Sequence, residues 1–242
     1  MSVAAIVTAA GRGERMGAGP PKALLLLAGE PVLVHAVRSM AAGRDVTRVI
    51  VVAPPESLRE VRALLSEDSV VAASGVVVDV VAGGRSRQES VALGVAAVAS
   101  DVTCVLVHDA ARPLTPVSVV DAVVDAVLAG ATAVVPLVTV TDSIRAVGFD
   151  GEVAGAVDRS LLRVVQTPQG FARSVLEQAH RTFEAESRKE SEAATDDASL
   201  VERLGITVVA VPGSEEAFKV TRPLDLELAE AIIARRRRES DA

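Results

Sequence analysis

The 242-residue sequence predicts a three-layer α/β fold built on a mostly parallel sheet, with one protruding β-arm. Three observations predict it. Apolar, β-branched runs recur along the chain, helical patterns lie between them, and the alternation breaks once, after Val138. Continuous apolar runs suit strands buried on both faces. Strand alternating with helix covers both faces of a sheet with helices.

In chain order, Val3–Ala10 reads as the first strand and Val32–Met40 as the first helix. Arg48–Ala53 is a strand, Leu58–Leu65 a helix and Val76–Val81 a strand. Ser86-x-x-Glu89 is a capping box that opens a helix over Glu89–Val98, because the serine and glutamate can each satisfy an orphan amide of the first turn. Thr103–Val107 is the fourth strand, Thr115-Pro116 starts the helix Val117–Leu128, and Ala131–Val138 is the fifth strand. Thr139–Val147 and Glu152–Val157 are short and alternating, and Gly148-Phe149-Asp150-Gly151 joins them as a hairpin. An arm of this kind, at about 138–162, needs a second surface for its apolar side, and a symmetric partner chain is the simplest one. Glu184–Ala194 is charged and rich in small residues, a helix end or exposed loop. Ile206–Val211 is the last strand. Pro223–Arg238 is the last helix, its terminal arginines matched to the negative end of the helix dipole. The length fits one domain over 1–242 with the arm as its appendage.

Composition removes several function classes. The 25 basic and 32 acidic residues leave a net charge of −7, which opposes nonspecific binding along nucleic-acid phosphates. With no Trp, no Tyr and four Phe, the chain lacks a platform for stacking bases. No apolar run is long enough to span a bilayer, the N-terminus lacks the pattern of a signal peptide, and the single Cys104 cannot form an internal disulfide. A cytoplasmic location is expected.

In open parallel sheets, ligands bind beyond the carboxyl ends of the strands. Here those positions carry Ala10-Gly11-Arg12-Gly13, Gly83-Gly84-Arg85-Ser86-Arg87 and His108-Asp109-Ala110-Ala111-Arg112-Pro113. The first is not a dinucleotide fingerprint, because Met16 replaces the third glycine, and not a P-loop, because Pro21 and Ala23 flank Lys22. Pro20 and Pro21 prevent a regular helix from Arg15 to Lys22. The segment is then a wrapped loop whose amides and cations, Arg12, Arg15 and Lys22, suit phosphates, or else a glycine-rich connection with solvated charges. A triphosphate needs a divalent metal, and Asp109 is the best-placed carboxylate for magnesium. Beside Arg112, it could equally organise the loop as an Asp–Arg pair. His108 is expected to be structural, His35 and His180 to be packing or surface residues, and Cys104 a buried small hydrophobe. No Gly-x-Ser-x-Gly elbow supports a hydrolase triad. Phe218-Lys219-Val220-Thr221-Arg222-Pro223 places two cations between the last strand and the last helix, where they can face the first loop. Gln166-Thr167-Pro168-Gln169-Gly170-Phe171 reads alone as a structural turn.

Taken together, AAGRGERMG…PK, GGRSRQESV, VHDAARP, VTDSIR, VDRSLL, QTPQGF, TDDASL and FKVTRPLDL resemble the 2-C-methyl-D-erythritol 4-phosphate cytidylyltransferase family of the non-mevalonate isoprenoid pathway. The resemblance spans nearly the whole chain. It implies a Rossmann-like nucleotidyltransferase core, a β-arm used in homodimerisation, and transfer of CMP from CTP to the phosphate of methylerythritol phosphate with release of pyrophosphate. It also implies roles. Arg15 and Lys22 stabilise the transition state, and Ala9, Ala10, Gly11 and Gly13 contact the nucleotide through main chain. Gly83, Gly84 and Ser90 read the cytosine and ribose side, and Asp109 holds Mg2+. Arg159 and Lys219 hold and aim the acceptor, with Arg112, Ser143 and Thr167 near it, and Arg159 reaches the partner's cleft through the arm. Arg85 stands where relatives can carry an acidic residue.

Three rival functions remain on the sequence alone. A ribitol 5-phosphate cytidylyltransferase differs only in its acceptor polyol. A noncatalytic nucleotide sensor would not need Arg15, Lys22, Asp109 and Lys219 together. A nicotinamide dehydrogenase would need the glycine pattern that Met16 breaks.

Overall fold

A computed structural model describes residues 2–10, 22–188, 191 and 193–240. Its central sheet has eight strands. The strands in chain order are β1 (Ser2–Thr8), the short pair β2 (Leu26–Leu27) and β3 (Glu30–Pro31), β4 (Val46–Ala53), β5 (Val77–Ala82), β6 (Val102–Asp109), β7 (Ala133–Thr139), the arm strands β8 (Arg145–Val147) and β9 (Val153–Ala156), then β10 (Arg163–Val165), β11 (Gln169–Ala172) and β12 (Val209–Pro212). The helices are α1 (Val32–Ala41), α2 (Leu58–Ser66), α3 (Ser69–Ala73), α4 (Arg87–Ala96), α5 (Val117–Leu128), α6 (Arg173–Thr182), α7 (Glu184–Ser187), α8 (Asp197–Arg203) and α9 (Pro223–Ser240).

Across the sheet the order is β5, β4, β1, β6, β11 and β7, with β10 and β12 also paired to β7. Neighbours among β5, β4, β1 and β6 are parallel, as are β7 and β12. Strands β10 and β11 run antiparallel to β7 and are two halves of one line interrupted at Gln166-Thr167-Pro168. That interruption lifts Thr167 out of the ladder.

Strand alternation feeds two cores. Val3, Ala5, Val7, Val49, Val51 and Leu106 face one side and pack on α1, α2 and α5. Ala4, Ile6, Ile50, Val52, Val105 and Val107 face the other side, toward α4, α6 and α8. Period-two side chains, apolar at every step, therefore require helices on both faces. A third cluster, including Leu27, Leu114, Val220 and Ile233, docks α9 beside the β2–β3 pair.

The capping expectation at Ser86 holds in half: the Glu89 amide donates to Ser86 Oγ at 3.0 Å, but the Glu89 carboxylate accepts from the Arg85 amide at 2.7 Å. At Thr115-Pro116 the helix starts where expected, at Val117. Pro116 occupies the cap position without a side-chain bond, and Thr115 Oγ1 donates to the Arg112 carbonyl. The arm is shorter than its pattern: β8 pairs with β9 only over 145–156, and Thr139 ends β7 instead. Among the described residues, no helix is long and apolar enough to cross a membrane.

Candidate active site

The chain passes from β1 to β4 and β5 on one side, then returns to place β6 on the other side of β1. That reversal opens a crevice at the carboxyl ends of β1 and β6. Thr8 and Asp109, paired in register at the ends of those strands, form its floor.

Asp109 is buried, and its carboxylate gathers groups from three distant segments. Lys219 Nζ donates to Oδ2 at 2.7 Å, while Arg87 Nε at 3.3 Å and Thr8 Oγ1 at 3.4 Å reach Oδ1. Burial alone would push its pKa up, but the charges of Arg87, Lys219 and Arg112 outweigh burial and hold it well below the usual carboxylate range. The group is ionised throughout the physiological range. Lys219 arrives because its segment is pinned to the loop after β6: the Val220 amide donates to the Ala111 carbonyl at 2.8 Å, and Arg112 Nη1 to the Ala217 carbonyl at 2.6 Å.

The alternative role for Asp109, a direct pair with Arg112, is not what forms. Arg112 is buried and gives its guanidinium to the carbonyls of Ala217 and Val165, and Asp109 takes Lys219 and Arg87. The two terminal nitrogens of Arg112 are taken by these backbone carbonyls, while its charge still bears on Asp109. The sequence alone assigns Arg87 no role. It opens α4 and bridges to Asp197, Nη1 to Oδ2 at 2.8 Å, and Asp197 Oδ1 in turn meets His180 Nε2 at 2.9 Å. Of the two expectations for His180, packing and surface, the buried one holds, with its ring bonded to Asp197. The only sequence signal is the presence of Arg87 and Asp197 inside GGRSRQESV and TDDASL.

Thr167 is buried above the same strand end. Its hydroxyl accepts from the Asp109 amide at 3.1 Å and lies 3.0 Å from His108 Nδ1. His108 is structural, as expected, and burial pushes its pKa down to about 4. Thr167 therefore holds the backbone of Asp109 and keeps one lone pair for a ligand.

Gly83 and Gly84 follow β5 and face the exit of β1. A Cβ at Gly83 would lie 2.5 Å from the Ala10 Cβ and 3.1 Å from Ser90 Oγ, so only glycine lets these strand ends approach. Ser90 is buried; its hydroxyl accepts from the Gly84 amide and donates to the Ser86 carbonyl, which shapes the loop. Ala9 is tied to β4 through its amide and the Val52 carbonyl at 2.8 Å. Gly11, Gly13 and Arg15, with the side chain of Lys22, lie outside the described residues.

Asp109, Thr167, Arg112 and Lys219 are thus joined by direct or one-step contacts, and Ala9, Ala10, Gly83, Gly84 and Ser90 line the adjoining strand ends. Ser143 and Arg159 are not joined to them. Both are exposed on the arm, where Arg159 bonds the Thr141 carbonyl.

One carboxylate suits magnesium only in company. Among the described residues, no three His, Cys, Asp or Glu side chains form a metal cluster. Asp109 is ionised and, with two oxygens, retains lone pairs beyond those used by Lys219 and Arg87. Its chemistry fits a magnesium ion whose remaining ligands are phosphate oxygens and water.

The sequence model of the family described as 2-C-methyl-D-erythritol 4-phosphate cytidylyltransferase matches residues 3–235. Similar curated proteins of that name come from Streptomyces coelicolor, 54% identical over 97% of this chain and 86% of the relative, and from Frankia casuarinae, 52% identical over 96% and 82%. The crystal structure of the Thermus thermophilus protein of that name superposes with a TM-score of 0.74 at 35% identity, covering 96% of this chain and 98% of that one. The 4-diphosphocytidyl-2C-methyl-D-erythritol synthase of Anaerococcus prevotii superposes at 0.80 with 23% identity over 96% and 98%, which shows a shared fold.

Proposed function

The chain belongs to the 2-C-methyl-D-erythritol 4-phosphate cytidylyltransferase family, and from that membership we propose how its residues divide the work of the reaction. The enzyme transfers CMP from CTP to 2-C-methyl-D-erythritol 4-phosphate, giving 4-diphosphocytidyl-2-C-methyl-D-erythritol and pyrophosphate in the non-mevalonate pathway. The acceptor is methylerythritol phosphate rather than ribitol phosphate, and a sensor or dehydrogenase is set aside by the same membership.

In our reading, an oxygen of the acceptor phosphate forms a bond to the α-phosphorus of CTP as the bond from that phosphorus to the bridging oxygen breaks. The electron pair leaves with pyrophosphate. No covalent enzyme intermediate is needed. The obstacle is the approach of two anions, so positioning and charge neutralisation carry the catalysis. Ala9, Ala10, Gly11 and Gly13 meet the nucleotide through main chain, and Gly83, Gly84 and Ser90 form the close-packed wall on its base and ribose side. Arg15 and Lys22 neutralise the triphosphate and the departing pyrophosphate. Lys219, Arg112 and Thr167 form the acceptor side together with Ser143 and Arg159 of the arm. Asp109 would hold Mg2+, which when bound supplies positive charge to the phosphate oxygens.

The observation that supports this reading best is the Lys219–Asp109 pair, 110 residues apart in sequence and 2.7 Å apart at the crevice floor. A side chain left 40% exposed in that pair is available to a phosphate. The test is Lys219→Met. We expect turnover to fall by about 10²- to 10³-fold, with a much smaller change in the KM for CTP, because the charge matters most where the phosphates meet. Unchanged turnover rejects the role.

A homodimer through the arm and a cytoplasmic location complete the proposal. Val147, Phe149, Val153 and Leu161 are all exposed on or beside the arm, an apolar surface that a second copy would cover. If Arg159 serves the partner's cleft, mixing Arg159→Ala chains with Lys22→Ala chains restores part of the activity. Proven heterodimers without recovery would mean that each chain works alone.

A further inference from the structure

Behind the crevice floor, Asp109 continues into Arg87 and the buried Asp197 and His180, to which the reaction as described gives no role. Arg87 stands between two carboxylates, Asp109 at 3.3 Å and Asp197 at 2.8 Å. Asp197 is 1% exposed and is held on its other oxygen by His180 Nε2 at 2.9 Å. These contacts link the start of α4, the end of β6, the start of α8 and the last turn of α6. Their outer end is the half-exposed Lys219.

Among the described residues, Arg87 and Lys219 are the cations bonded to the Asp109 carboxylate, and Arg87 also bonds Asp197. If Lys219 moves to a phosphate, Arg87 is the cation that remains bonded to Asp109, at the mouth of the crevice. A bare buried carboxylate would relax or take a proton, but one held by a buried guanidinium keeps its charge and its aim. Arg87 cannot itself follow Lys219, because Asp197, itself bonded to His180, holds it from behind.

We propose that Arg87 is a positioning residue for the transfer reaction, clamping the Asp109 carboxylate against the Asp197–His180 anchor so that Lys219 can leave it for phosphate and a divalent cation can take its place. The inference rests on the reading of Asp109 and Lys219 given above. Arg87 needs no contact with substrate to do this. It acts through Asp109, as an outer partner acts through a metal ligand.

The test uses the full-length enzyme and two variants, Arg87→Gln and Arg87→Lys. For each, kcat, the KM values, the Mg2+ concentration for half-maximal rate and the calorimetric affinity for Mg2+–CTP are measured beside thermal stability. Arg87→Gln should lower kcat and weaken the magnesium response by about 10- to 100-fold and leave the KM for the acceptor within twofold. Arg87→Lys, which keeps the charge but cannot bridge both carboxylates, should fall between it and the wild type. A folded Arg87→Gln enzyme that melts lower yet keeps wild-type kcat and magnesium response overturns the proposal. If Arg87→Gln does not fold, Arg87→Lys decides by the same two readouts, and wild-type values for it are equally fatal. Failure of the wild-type enzyme itself to form product would instead reject the underlying assignment.

Discussion

The Thr167 hydroxyl lies 3.0 Å from Nδ1 of His108, and this contact fixes the protonation pattern of the whole strand end. The Arg112 carbonyl, 3.2 Å from His108 Nε2, can only accept, so Nε2 carries the hydrogen and Nδ1 is an acceptor. Thr167 must then donate to Nδ1 while its oxygen accepts from the Asp109 amide at 3.1 Å. A relay of three hydrogen bonds, from the Asp109 amide through Thr167 and His108 to the Arg112 carbonyl, sets the strand end that carries the Asp109 carboxylate. Its members come from β6, the loop after it and the break between β10 and β11.

Thr167→Val keeps the shape of this side chain and removes the hydroxyl, leaving the Asp109 amide and His108 Nδ1 buried without partners. Each orphan costs about 1–3 kcal/mol. Denaturant melts should show a loss of about 2–6 kcal/mol for the variant, the two orphans together, and kcat should fall as Asp109 loses its register. Thr167→Ser, which retains the hydroxyl, should recover most of both. Equal stability of the valine and serine variants would show that the relay does not hold the loop.

Acid stability should depend on a second ion cluster, away from the crevice. Asp68 caps α3 by accepting from the Val71 amide at 2.8 Å and pairs with Arg38, which also grips Glu30 at 2.6 Å. Burial would push the Asp68 pKa up, but Arg38 and the α3 amides prevail and hold it below its ordinary 3.8. Because the folded value is the lower one, the unfolded chain takes up the proton first as pH falls. The stabilisation is complete above the ordinary carboxylate range and is lost as pH drops through it. Asp68→Asn keeps a capping oxygen and deletes the charge, so it should be less stable than wild type at pH 7 by about 1 kcal/mol, a figure already reduced for the partly exposed Arg38 and Glu30. The gap should close toward pH 3. A gap independent of pH would remove Asp68 from the set of linked groups.

The parts of the fold legible in the sequence are those with period and punctuation. Val117–Leu128 is recovered to the residue, because its apolar face and the preceding proline coincide. β1, β4, β5 and β6 are recovered within a few residues, because continuous apolar runs have few other uses. Strands β10 and β11 are not legible, since Arg163–Val165 and Gln169–Ala172 are short and owe their strand geometry to β7 and β6 on either side. α6 is hidden too: a charged, strongly amphipathic stretch offers Leu176, Ala179 and His180 as its buried face. At the site, Asp109 and Lys219 can be named from strand-end position and charge. Their pairing cannot, and neither can Arg87's place between Asp109 and Asp197, which depends on how α4, β6 and α8 converge. Nothing local in a sequence marks an arginine that bridges two carboxylates, 22 and 110 residues away.

Gly83 offers a way to separate ligand entry from packing. An added Cβ would sit 2.5 Å from the Ala10 Cβ and 3.3 Å from Val52 Cγ1, and a methyl on a strand exit has no rotamer to yield. Gly83→Ala must therefore push Ala10. Gly94→Ala is the control. Its Cβ would meet Ile6 Cγ2 at 2.6 Å and Val52 Cγ2 at 3.0 Å, within the core between α4 and the sheet. Overpacking of either kind costs about 1–3 kcal/mol, so both variants should melt lower. Only Gly83→Ala should also raise the KM for CTP and weaken CTP binding measured by calorimetry, because only its clash lies at the strand end where we propose that the nucleotide binds. If Gly83→Ala loses stability while binding CTP as the wild type does, that glycine serves close packing of the strand ends and the nucleotide lies elsewhere along the crevice.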